Sequence, residues 1–231
     1  MANFNISRRS FIFGGAACAV GAGLALSSCS GTSVSDTSSS DSKGLNAAVA
    51  YTAFNFSPIG SENSLVHSIG WHVYDSLYNV DMHDGNIVNG LAVSDPKEID
   101  DVTYRVEIDT KKKFSNGQVV SPNDVVGSIG ENLKDKIYSQ LIDCIKSANI
   151  DGDSAVIINL KYHVSLDTLK NRLSVIKIFR REDKTDSGAF SFVGSGPWAV
   201  KAINGTDGGY VDFIPNGYYS GEHPARATSM R

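Results

Sequence analysis

The sequence predicts a mixed α/β (α+β) fold, and three observations carry that expectation. Apolar residues recur at helical spacing behind recognisable start signals, as in Leu65, Ile69, Val73 and Leu77 after Ser61. Other segments alternate apolar and polar residues, as in Tyr104, Val106 and Ile108 among Arg105, Glu107 and Asp109. Turn-forming groups such as Asp84-Gly85-Asn86 and Asp151-Gly152-Asp153 separate these segments. Helices and strands therefore intermix along the chain, and no repeat of 20 to 50 residues is present.

The chain has 231 residues, enough for one sizeable core or two small ones. Its net charge is −4. Arg8 and Arg9 are the only charged residues before Cys29, so the remainder is more acidic still. That balance, with no basic stripe, argues against nucleic acid as a partner.

Residues 1–28 read as an export signal. Ser7-Arg8-Arg9-Ser10-Phe11 is a twin-arginine pattern. The apolar stretch from Gly14 to Leu26 is too short and too rich in Gly and Ala to span a membrane. A plain Sec signal is the other reading. Leu26-Ser27-Ser28-Cys29 resembles the lipobox of bacterial lipoproteins, in which the cysteine is lipidated and becomes the first residue. Each buried methylene of such an anchor contributes about 0.8 kcal/mol, so two or more chains hold stably. Residues 29–44 then form a Ser-rich tether that cannot bury a core and spans roughly 20 Å as a coil. The folded body is 45–231. Cys144 is the one cysteine left in it. With no partner for a disulfide and the stripe Ile137, Leu141, Ile145 beside it, Cys144 is expected as a buried, inert thiol.

The body reads in order as follows. Ala47 to Tyr51 suits a buried strand, and Phe54 to Pro58 a loop. Ser61 caps a helix running through Leu77, with Val66, Tyr74 and Tyr78 widening its apolar face. After the alternating strand at 104–108, Lys111-Lys112-Lys113 reads as a solvated turn and Ser115-Asn116-Gly117 as another turn. Ser121-Pro122-Asn123-Asp124 opens the second helix, with Ser as cap, Pro at the first position and Asp at the third. Val125, Ile129 and Leu133 form its apolar row. Val156, Ile158 and Leu160 make a strand. Ser165 to Leu173 makes a short helix, Ser174 to Phe179 a strand, and Tyr210 to Pro215 another.

No catalytic constellation emerges, and the chain is expected not to be an enzyme. Gly194-Ser195-Gly196 is followed by Pro197 and a strand, whereas phosphate loops open into a helix. The glycines are expected to supply positive φ, and Pro197 to fix entry to the strand. A metal site from His72, His83 and Asp84 is conceivable, but neither metal nor cofactor is expected. No serine, histidine and carboxylate fall at a recognisable triad spacing.

Four motifs resemble one family. Phe114-Ser115-Asn116-Gly117 through Asp124-Val125-Val126, Val193-Gly194-Ser195-Gly196-Pro197-Trp198, Asn216-Gly217-Tyr218-Tyr219-Ser220-Gly221 and Val73-Tyr74-Asp75-Ser76-Leu77 resemble, in order and spacing, motifs of extracellular solute-binding proteins (family 5). These serve oligopeptide, dipeptide and nickel ABC importers. The resemblance covers about Leu45 to Arg231. It implies a type II-like periplasmic-binding-protein fold, present as its first lobe only and incomplete. Family members are considerably longer, and the second lobe and the segment that returns to the first are not in this chain.

The function so implied is a lipid-anchored component that binds a peptide or other small solute and delivers it to the permease subunits in the membrane. It would sit on the outer face of the cytoplasmic membrane, held by lipid on Cys29. Tyr51, Phe54, Asn55 and Trp71 are the candidate ligand contacts; packing in the core is the other reading of these residues. Three departures stand out: Asp95 replaces the family's aromatic after Leu91-Ala92, Phe56-Ser57-Pro58 lacks its acid, and the chain lacks the acid that holds a peptide's amino terminus. Residues 29–231 are therefore expected to bind peptides weakly or not at all. A non-transporting surface or interaction lipoprotein, or the remnant of a truncated gene, is the alternative.

Overall fold

The computed structural model describes residues 44–48, 58–59, 64–180, 193–204 and 209–231, all within one compact unit, Ser42–Arg231. Among the described residues, two four-stranded sheets, a hairpin and four helices build it. The first sheet, in order β4-β5-β7-β6, is wholly antiparallel: β4 (Lys97–Asp100), β5 (Thr103–Glu107), β6 (Ile145–Asp151) and β7 (Ala155–Leu160). Period-2 alternation turns Tyr104 and Val106 inward opposite Ile158 and Val156. Gly152, at φ 65°, makes the β6–β7 turn possible, and the Asp100 carboxylate accepts from Val102 N at 3.0 Å in the β4–β5 turn. β4 is exposed along its length and carries Lys97 and Glu98, charges that discourage further pairing at this edge.

Helix α2 (Pro122–Lys134) covers this sheet with Val125 and Ile129. Its start is the expected capping box: Ser121 Oγ accepts from Asp124 N, and Asp124 Oδ2 accepts from Ser121 N at 2.9 Å. The one-turn α3 (Tyr138–Leu141) and α4 (Leu166–Val175), capped by Ser165, close the first core.

The second sheet runs β1-β10-β9-β8: β1 (Gly44–Leu45), β8 (Trp198–Asn204), β9 (Tyr210–Pro215) and β10 (Ser229–Met230). β1 and β10 are parallel and the other pairs antiparallel. Helix α1 (Ser64–Val73) packs on it, and Val66, Ile69, Val73, Trp198, Phe213 and Met230 form the second core. The hairpin of β2 (Tyr78–Val80) and β3 (Ile87–Asn89) follows α1 and turns at Gly85, φ 77°.

Five expectations need correction. The first helix ends at Val73, not Leu77, although Tyr74 and Leu77 remain buried. Beyond Tyr74 N, which still donates to Gly70 O, the backbone bonds elsewhere: Val73 O accepts from Gly196 N (2.8 Å), Asp75 O from Ile178 N (2.9 Å) and Ser76 O from Leu91 N (2.9 Å). These long-range bonds replace the helical ladder. The strand expected at 174–179 is instead the end of α4 followed by an unladdered segment, because Ile178 N binds the chain at Asp75 and Phe179 N binds the Ser128 side chain at 3.0 Å.

The stripe Ile137, Leu141, Ile145 does not share one helix. α3 stops at Leu141, which is exposed, and β6 starts at Ile145, so Ile142 fills the core beside the buried Cys144. Of the strand expected at Ala47–Tyr51, Ala47 and Ala48 carry no strand, although Ala47 N donates to Arg231 O at 2.7 Å beside the strand Gly44–Leu45; residues 49–51 lie outside the described residues, as do Ser61 and its cap. Finally, Gly194 and Gly196 are not among the glycines at positive φ. A Cβ on Gly194 would strike the Val73 carbonyl, and one on Gly196 would come within 2.7 Å of His72 O. Their role is close approach of two backbones.

The four motifs named above meet at one place. Ser115 N donates to Gly194 O (2.8 Å), Gly196 N to Val73 O, and Asn216 Nδ2 to Gly196 O (2.8 Å). Gly117, at φ 86°, leaves room for the Tyr218 ring. This junction sits between the two cores and fixes the wall of the cleft described next.

Candidate functional site

An open cleft of about 1340 Å³ lies beside the end of α1. One wall is the exposed face of α1, with His67, Trp71 and His72. The hairpin contributes Asn79 and Asp81, the segment after β5 contributes Asp109 to Lys112, and Tyr219 to His223 close the rim. The floor holds Asp75 and Lys177.

These two charges are both buried, each at 7% exposure. The backbone bond from Ile178 N to Asp75 O fixes their neighbouring positions. Lys177 Nζ lies 4.1 Å from the centroid of the Trp71 ring, a cation–π contact. It also donates to Ser76 Oγ at 3.2 Å, and that hydroxyl donates to Ser174 O at 2.9 Å. Asp75 Oδ1 accepts from Asn79 Nδ2 at 3.3 Å. Burial pushes the Asp75 carboxyl up to about 6, against the opposing pull of Lys177 and Lys112. Burial pulls the Lys177 ammonium down to about 8, and Asp75 opposes this. Burial, with Asp75 nearby, pushes the Tyr219 phenol up to about 12. The His72 ring is likewise held below its ordinary value by burial. The site thus holds one buried cation and one buried anion, both facing a space that a solute can enter.

Of the ligand contacts expected from the sequence, Trp71 lines this cleft and is 41% exposed. Tyr51, Phe54 and Asn55 lie outside the described residues, as do Cys29, Arg8 and Arg9. His72 is on α1 while His83 and Asp84 are in the hairpin turn, where Asp84 is bound to Asn86. No group of three or more metal-ligating side chains gathers among the described residues. The Lys111-Lys112-Lys113 run is not a patch: Lys112 Nζ donates to Ser220 O at 3.2 Å, and Lys113 sits over the Tyr218 ring. Cys144 is buried at 1% exposure, and burial raises its thiol above the ordinary range.

Sequence reasoning missed Lys177 and the role of Asp75. The available signal was a single charge inside the apolar run Val175-Ile176-Lys177-Ile178-Phe179. A lysine there is buried with its neighbours, so its ammonium needs a partner or an opening.

No protein-family model matches the chain, and no curated protein matches it. Solved structures do. NikA from Brucella suis, in complex with Fe(III)-EDTA, is 22% identical with a TM-score of 0.66, over 81% of this chain and 38% of its own. The oligopeptide-binding protein AppA from Bacillus subtilis, in complex with a nonapeptide, is 24% identical with a TM-score of 0.65, over 76% and 37%. MoaA from A. tumefaciens R10, in complex with mannopinic acid, is 19% identical with a TM-score of 0.71, over 82% and 40%. The chain therefore spans about two fifths of the length of these proteins. The expected fold is the one observed: a mixed α/β, type II-like periplasmic-binding-protein fold, present in part.

Proposed function

We propose that this chain belongs to the solute-binding proteins of the oligopeptide and nickel importer type, and acts without catalysis as the solute-binding component of an ABC importer. Residues 1–28 direct export, lipid on Cys29 anchors the chain, residues 29–44 tether it, and 45–231 form the lobe that meets the solute and passes it to the permease. The observation that carries this reading is the fold shared with NikA, AppA and MoaA over about four fifths of this chain. The cleft supports it further, since its mixture of aromatic side chains and charges of both signs suits a small polar solute. Among the described residues no helix is long and apolar enough to cross a membrane.

Purification of the full chain from membranes of its native host tests the proposal. The expected result is an acylated N-terminal cysteine peptide by mass spectrometry, together with co-purifying ABC permease subunits after mild crosslinking. A chain with its first 28 residues intact, no lipid and no transporter subunit would contradict it.

A further inference from the structure

Two opposite charges buried side by side in a cleft wall ordinarily neutralise each other by a direct ion pair. Asp75 and Lys177 do not. Among the described residues, Asp75 accepts one side-chain hydrogen bond, from Asn79 at 3.3 Å, and its Oδ2 has none. Lys177 spends one of its three N–H donors on Ser76 and holds its charge over Trp71. Lys112 also attracts Asp75 but donates to the Ser220 carbonyl. Each buried charge therefore keeps hydrogen-bonding capacity directed to the cleft that both line.

A second, smaller pocket of about 180 Å³ adjoins this point. Trp71 and Lys177 belong to its wall as well as to the wall of the cleft. Its lining is mainly apolar, with Val66, Leu141 and Val175, and Tyr138 beside His67 at 3.2 Å. Lys177 thus stands between the cleft it shares with Asp75 and an apolar recess.

We propose that Asp75 and Lys177 form a two-point subsite for the zwitterionic head of an amino-acid-like solute, the ammonium on Asp75 and the carboxylate on Lys177, with an apolar side group in the recess behind Trp71. A zwitterion supplies one opposite charge to each buried group, which a simple anion or cation cannot. Charge-assisted hydrogen bonds of this kind are about twice as strong as neutral ones and are stronger still where water is excluded. The subsite lies wholly within this chain, so a compact solute can use it where an extended peptide needs further walls. This proposal rests on the solute-binding reading and narrows it to a solute class.

Calorimetric titration of the full chain with L-leucine, leucinamide and N-acetylleucine tests it. Leucinamide lacks the carboxylate and N-acetylleucine lacks the ammonium. The expected result is that leucine binds at least about tenfold more tightly than either analogue, one charged contact being lost in each. Lys177→Met should reduce leucine to the level of leucinamide and leave leucinamide unchanged, and Asp75→Asn should reduce leucine to the level of N-acetylleucine. The wild-type comparison of the three ligands stands even where a variant fails to fold. Equal binding of all three overturns the subsite. So does binding of a longer peptide without binding of leucine, an outcome that leaves the solute-binding reading in place. Binding of neither leucine nor any peptide overturns both.

Discussion

Asp75 and Lys177 set the behaviour of the site one residue at a time. The folded protein holds the Asp75 proton more tightly than the unfolded chain does, with the carboxyl raised from 3.8 to about 6. The associated stability is present below pH 3.8 and is lost as pH rises through about 6. Lys177 behaves oppositely: its ammonium is lowered from 10.5 to about 8, so its stability contribution is present above 10.5 and lost as pH falls through about 8. Between those limits both groups are charged and buried, which is the state that a zwitterion would relieve. Urea unfolding from pH 4 to 7 checks the carboxylate half. Lys177, Lys112, Asn79 and Tyr219 surround Asp75 and stay in place in Asp75→Asn. The wild type should lose stability across this range relative to Asp75→Asn; parallel profiles would place the charge of Asp75 in an ordinary solvated setting.

At the scale of elements, the two backbones that meet at Val73 and Gly194 decide where α1 stops. Gly194→Ala places a Cβ against the Val73 carbonyl, a backbone atom that cannot swing aside. Overpacking of this kind costs roughly 1–3 kcal/mol. Gly127, inside α2, has open space at its Cβ position, and Gly127→Ala should gain about 1 kcal/mol in helix propensity. Denaturant midpoints moving in opposite directions for these two glycines is the expected outcome; a neutral Gly194→Ala would contradict the close-approach account. The contrast also explains what could be read from the sequence. β5, β7, α2, α4 and the turns at Gly85, Gly117 and Gly152 follow from local periodicity, caps and turn residues, so each was legible. The end of α1, the unladdered course of residues 176–180 and the pairing of β10 between β1 and β9 depend on hydrogen bonds to distant chain, which no local pattern encodes. Gly194 and Gly196 were correctly singled out, but for positive φ, since a sequence does not tell a tight turn from two touching backbones.

At the scale of the whole unit, the four motifs form one junction between two cores, and the cleft opens beside it. That explains why the motifs carried the fold so well and the site so poorly. Phe114 to Asp124, Val193 to Trp198 and Asn216 to Gly221 fix backbone positions, whereas the chemistry rests on Trp71 and Asp75 at the end of α1 and on Lys177, which is distant in sequence and brought to them by the fold. Trp71 was legible as an aromatic of the candidate site, and Lys177 was not, because its partner lies 102 positions earlier. The chain has two tryptophans, which allows a direct reading of the cleft: Trp71 lines it and Trp198 sits in the second core. The indole N–H resonances of the ¹⁵N-labelled full chain, assigned with Trp198→Phe, can be followed on addition of millimolar L-leucine and of a mixed tripeptide library. If the cleft receives solute, the Trp71 signal shifts in a saturable way and the Trp198 signal stays in place. No movement of Trp71 with any solute in either set would contradict the cleft as the binding site.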